Sequence, residues 1–251
     1  MVGRKPRRHR WVRWTLGAVV AVVVLGVGAA SLSVHLSSAP APLALPAAGA
    51  GASGMGGLAE DSGTWNVGTG SVAGWRAQQI VIGQESTLTG RTGKVWGSIT
   101  VAGGSVTRGS FAVEMAALTS GLSQSTRSSV FDVAADPTAS LVLTAPIPLG
   151  TLAAGSVEHL PAAGTLTLHG VSRAVSFSVA VESASGGVDV LADISLPFAS
   201  WDISVQGVPW LGDLQSPATV EVLLHLTRGM GNPASVTSAG RAGLGAGYAA
   251  S

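Results

Sequence analysis

The sequence has no cysteine. That absence removes disulfide staples, thiolate metal sites, a cysteine nucleophile and a lipid-modified N-terminal cysteine, so packing and β-ladder hydrogen bonds must hold the fold together. Charge is scarce as well: 11 % of the 251 residues are charged and 46 % are hydrophobic, against roughly 25 % charged in an ordinary soluble domain. Part of the chain is therefore expected in lipid. The formal net charge of +1 is unevenly spread, because Arg4, Lys5, Arg7, Arg8, Arg10 and Arg13 all precede the first apolar run. Without that cluster the remainder is mildly acidic, so the folded part has no basic footprint and no nucleic-acid partner is expected.

Catalytic patterns are missing too. No G-x-S-x-G stands in the central region, so a nucleophile on a strand-to-helix elbow is not indicated. His9, His35, His159, His169 and His225 show no H-x-x-x-H spacing, which leaves a zinc or iron site without support. Glycines such as those of residues 51–57 do not lie between a strand and a helix, and phosphate-loop readings fail with them. Glu114, Asp132 and Asp136 could each pair with another carboxylate, but the outward alternation of Asp189, Asp193 and Glu221 makes most of the acids read as solvated faces. The chain is expected not to be an enzyme and to need no cofactor or metal.

What is present divides into segments. Thr15 to Val34 carries no charge, and about 20 residues at 1.5 Å rise span the roughly 30 Å hydrocarbon core of a bilayer. This predicts one transmembrane helix, preceded by Trp11 and Trp14 at the headgroup level. The basic flank puts its N-terminus in the cytoplasm and the rest of the chain outside. A cleaved signal peptide is the alternative, with small-residue sites near Ala30 and Ala41. Residues 37–63, rich in Ala, Pro, Gly and Ser, read as a flexible linker, and 229–251 as a disordered tail. The segments are thus 1–36 tail and helix, 37–63 linker, 64–228 folded domain and 229–251 tail.

Within the domain, period-two alternation recurs. Val175, Phe177, Val179 and Val181 share one strand face, as do Val188, Val190, Ala192 and Ile194. Val220, Val222, Leu224 and Leu226 share another, and Leu166 and Leu168 a fourth. Weaker strand patterns cover 72–82, 95–101, 105–115, 140–143 and 201–205, with turn signals at Gly103-Gly104 and Gly186-Gly187. Only Leu118 to Phe131 reads as a short helix. About eight short antiparallel strands with little helix predict an all-β barrel or sandwich. A closed eight-stranded barrel leaves an interior that packs shut or holds one small ligand.

The stretch GTLTLHGVSRAVSFSV from Gly164 to Val179 resembles the hallmark of the YceI-like family, G-x-L-T-L-H-G-V-T-K-x-V. Phe131, Asp132 and Pro137 match its F-F-D segment, LPFASWDISV and ATVEVLLHLTR resemble its closing hairpin, and TWNVGTGSVAGWRAQQ its start. The resemblance runs through Thr64 to Arg228. It implies a lipocalin-like, extended antiparallel β-barrel with one short helix, a lumen for a polyisoprenoid or other amphiphilic chain, and a periplasmic or secreted setting. Where the family frequently has N-R-x-D-F-G near the last hairpin, this chain reads Pro197-Phe198-Ala199-Ser200-Trp201-Asp202, which leaves the head-group contact and the lipid's identity unassigned.

Candidate lumen residues are Phe111, Phe131, Phe177, Val179, Trp201, Trp210, Val222 and Leu224. His169 in the L-H-G hallmark is read as a turn residue rather than a ligand contact. The function expected is a membrane-tethered, extracytoplasmic carrier for an isoprenoid or similar lipid. The alternative is an envelope interaction or stress-response module whose barrel is packed solid.

Overall fold

The computed structural model describes residues 39–46, 62–81, 83–120, 136–149, 156–184, 186–203 and 213–229. Thirteen strands occupy the central region: β1 Gly63–Val67, β2 Val72–Val81, β3 Gln84–Thr92, β4 Val95–Ala102, β5 Ser105–Glu114, β6 Thr119–Ser120 and β7 Thr138–Leu143, then β8 Ile147–Pro148, β9 Val157–Leu168, β10 Val171–Ala184, β11 Gly187–Leu196, β12 Asp213–Leu214 and β13 Ala218–Arg228. Every pairing among them is antiparallel.

Eight strands close a ring in the order β1-β4-β5-β7-β9-β10-β11-β13, and β13 returns to β1. The expected barrel is therefore present, and ring closure leaves these strands no free edge. β13 serves two neighbours on one side: its first residues pair with β2, Thr219↔Arg76 to Leu223↔Val72, and its last with β1, Leu226↔Val67 to Arg228↔Trp65. β2 then forms a hairpin with β3, which extends the wall above β1.

Turn chemistry follows the sequence. Gly103 and Gly104 both have positive φ, 58° and 71°, between β4 and β5, the two-residue geometry that matches strand twist. His169 and Gly170, with φ of 55° and 70°, do the same between β9 and β10, so His169 occupies the turn that its hallmark position suggested.

Two expectations need correction. Leu118 is extended and Thr119–Ser120 form β6, so the short helix does not begin at 118; residues 121–131 lie outside the described residues. Among the described residues only three-residue and four-residue 3-10 turns occur, Met115–Ala117 and Phe198–Trp201. The second replaces the start of the strand expected at 201–205. Pro197 opens it and Asp202, at φ 52°, turns left-handed and ends any extended run. No helix among the described residues is long and apolar enough to cross a membrane. The apolar run 15–34 and the tail beyond Gly229 lie outside them.

Candidate functional site

Inward-facing residues of β2, β4, β5, β7, β8, β9, β10, β11 and β13 converge on a cavity of about 150 Å³. Its wall is apolar almost throughout; Ser140 is the one residue with a polar side chain, and no titratable side chain takes part. The space links two buried clusters. One, at the β1 end, centres on Trp65, Val101, Val181 and Leu226; the other, at the β2–β3 end, centres on Trp75, Leu168, Leu196 and Phe198. Ala218 and Leu226, eight residues apart on β13, both line it. At about 3.3 Å per residue that separation is roughly 26 Å of strand, so the lining residues follow most of the length of β13.

Of the expected lumen residues, Phe111, Phe177, Val179, Val222 and Leu224 all line the cavity. Trp201 does not. It is buried in the cluster at the β2–β3 end, 2 % exposed, and its indole N–H has no hydrogen-bond partner among the described residues. Its carbonyl accepts from His169 Nδ1 at 3.3 Å, which ties the β9–β10 turn to the 3-10 turn; a carbonyl can only accept, so the imidazole proton sits on Nδ1. Phe131 and Trp210 lie outside the described residues. Sequence reading missed Trp75, Phe198 and Leu160 as lining residues. The alternation of β2, with Ala73, Trp75 and Ala77 all buried, was the signal that could have found Trp75.

The outer wall differs from the solvated face that was expected. Glu221 points away from the lumen yet is 2 % exposed, because two arginines close over it. Arg76 Nε donates to Oε1 at 2.8 Å and Arg91 Nη2 to Oε2 at 3.0 Å. Asp193, opposite Glu221 on β11, has its carboxyl pushed above the usual range, first by burial, then by the Glu221 charge, with Arg76 working the other way. Further along β13, His225 Nδ1 and Asp189 Oδ1 are 2.7 Å apart, and Asp189 is 8 % exposed. Ser71 Oγ accepts the His225 backbone N–H at 3.0 Å and donates to Gly68 O at 2.9 Å, stitching the β1–β2 connection to β13. The alternation did place these carboxylates outward. It could not reveal that arginines from β2 and β3 would cover Glu221.

Within the stretch read as a linker, residues 39–46 reach this wall through two backbone carbonyls. Arg76 Nη2 donates to the Pro40 carbonyl at 2.7 Å, and Arg91 Nη2 to the Ala41 carbonyl. Leu43 and Leu45 are half-buried.

Comparison with known proteins agrees with this architecture. A polyisoprenoid-binding domain from Saccharophagus degradans, implicated in plant cell wall breakdown, superposes with a TM-score of 0.53 at 16 % identity, covering 67 % of this chain and all of that one. Burkholderia cenocepacia BcnA gives a TM-score of 0.48 at 15 % identity, over 61 % of this chain and 94 % of that one. No curated protein sequence matches the chain. At 16 % identity the likeness to the Saccharophagus degradans domain speaks for the fold alone. The sequence of residues 65–227 matches the YceI-like domain, and with most of its length so matched, the chain belongs to the YceI-like family.

Proposed function

We propose that the barrel binds a long apolar lipid of the isoprenoid class in its lumen and carries or sequesters it outside the cytoplasmic membrane, to which residues 15–34 tether it. The observation that carries this reading is the cavity beside β13 whose wall offers almost nothing but hydrocarbon. An apolar cavity of this kind stays dry, and each methylene moved from water into it gains about 0.8 kcal/mol. With no charged group on the wall, selection inside rests on shape and apolarity. The polar head of such a lipid belongs at a mouth of the barrel. The interaction-module alternative depended on a packed interior, and the cavity between these strands favours the binding reading over it.

The tether is supported by the uncharged run Thr15 to Val34 and the six basic residues before it. Carbonate extraction should leave the chain in the membrane pellet, and its release would remove the tether.

Native mass spectrometry of the purified full-length chain, stripped of lipid and then offered a polyprenol, should show a one-to-one adduct. Val222→Phe, which fills the lumen from β13, should weaken that adduct at least tenfold while the unfolding midpoint stays close to wild type. A protein that takes up no polyprenol, or one whose uptake Val222→Phe leaves untouched, would overturn lumen binding.

A further inference from the structure

The docked segment at 39–46 has a consequence for how the domain sits at the membrane. Each arginine at this station serves two acceptors. Arg76 uses Nε for Glu221 and Nη2 for the Pro40 carbonyl, and Arg91 uses Nη2 for both Glu221 and the Ala41 carbonyl. A planar guanidinium with five N–H groups can hold a carboxylate on one side and present further donors on another. Glu221 fixes both guanidiniums from beneath, since it is itself buried and clamped between them.

The occupant is suited to what is offered. Ala39-Pro40-Ala41-Pro42-Leu43-Ala44-Leu45-Pro46 has a proline at 40, 42 and 46, which favours an extended backbone without internal hydrogen bonds and leaves its carbonyls free to accept. Leu43 and Leu45, alternate residues, are half-buried while Ala44 and Pro46 between and after them are exposed. The segment meets the barrel through a polar clamp at the Pro40 and Ala41 carbonyls, and the two leucines that follow are half-buried.

We propose that residues 39–46 are a strap that docks the β2–β3–β13 wall beside the point where the tether leaves the membrane, so that the barrel is held at the bilayer surface in one orientation. This rests on reading residues 15–34 as the membrane span. Ala39 comes five positions after Val34, a stretch that reaches at most about 18 Å. An undocked linker through residues 35–62 would have a root-mean-square reach of roughly 30 Å and no preferred direction. Docking therefore brings one wall of the lipid-binding barrel close to the bilayer and turns the β7–β9 wall away from it.

The absence of native cysteine makes the test direct. The full-length chain, labelled with spin probes at Ala44→Cys and Glu85→Cys and placed in lipid nanodiscs, should give one narrow distance population. Arg76→Lys with Arg91→Lys keeps positive charge against Glu221 but removes the second donor face, and it should broaden that population several-fold. The unfolding midpoint of the doubly substituted protein checks that the barrel is intact. A broad distribution in the otherwise unaltered chain, or one that the lysine pair leaves narrow, overturns the strap.

Orientation has its own readout. With nickel-chelating lipid in the disc, a probe at Glu85 on the strapped wall should relax at least twofold faster than one at Val142 on β7. Equal, measurable relaxation at both overturns the orientation. If neither probe senses the nickel while the 44–85 distance stays narrow, the tether reading fails and the orientation with it, and the failure is traced to the membrane span rather than to the clamp.

Discussion

Along β13, Val220, Val222, Leu224 and Leu226 turn into the cavity, while Glu221 and His225 turn to the outer wall. The inner four meet only apolar neighbours, whereas the outer two are held by named donors and acceptors: Arg76, Arg91, Asp189 and Ser71. Burial inside asks only that water be absent, and hydrocarbon contact has no preferred direction. Burial outside demands exact partners, because an unpaired buried charge costs several kcal/mol. One strand thus combines an undirected interior with a directed exterior, and the directed side fixes how the hairpin of β2 and β3 lies against the barrel.

The comparison can be broken most severely by transplanting a carboxylate from one face to the next. Val222→Asp sets a charge among side chains that offer it no donor, and its expected cost is about 4 kcal/mol of unfolding free energy in urea titration. A loss under about 1 kcal/mol would mean that water reaches the lumen.

Stripping the outer face is the next largest change. Arg76→Ala with Arg91→Ala strands Glu221 without a cation and should cost about 3 kcal/mol by the same measurement. Adding Glu221→Gln should recover part of it, since a neutral amide is cheaper to bury than an unpaired carboxylate. No recovery would show that the arginines act through packing rather than charge.

The smallest effect concerns acidity. Burial raises the Asp193 carboxyl in the folded protein, with Glu221 adding to it, so the folded state holds its proton more tightly than the unfolded chain. That contribution is fully present below the unfolded carboxyl range and is lost as pH rises through the folded value. Asp193→Asn should therefore flatten the fall of the urea midpoint on the way from pH 4 to neutrality. An unchanged slope would assign the pH dependence to other groups.

How much of this the sequence displayed depends on where each side chain finds its neighbours. β9, β10, β11 and β13 were legible because their inward positions are filled by their own apolar side chains, and the observed strands only lengthen those runs. β3, QESTLTGRT, was invisible. Its inward Gly90 has no side chain because the Trp75 indole from β2 occupies that space: a Cβ there would stand 2.4 Å from Nε1. The apolar group belongs to the neighbouring strand, so no periodicity in β3 can report it. Val179, Val222 and Leu224 in the lumen followed from simple alternation. Trp201 carried the same apolar signal, but a left-handed residue at Asp202 ends its segment in a tight turn and keeps it in the core beside the cavity. The arginine station was hidden for a different reason, since Arg76, Arg91 and Glu221 come from three strands whose register only the fold supplies.

The seam at β13 bears on how the protein is made. Residues 218–228 are the last of the domain to leave a ribosome, and they complete the ladders of β1, β2 and β11 at once. Until they arrive, three ladder edges stand open, each a template for pairing with another chain. Contacts of such wide sequence separation also form slowly. A nascent chain of this kind has reason to need a holding chaperone until its final eleven-residue strand is released, and truncations ending before Ala218 should aggregate rather than fold to a smaller barrel.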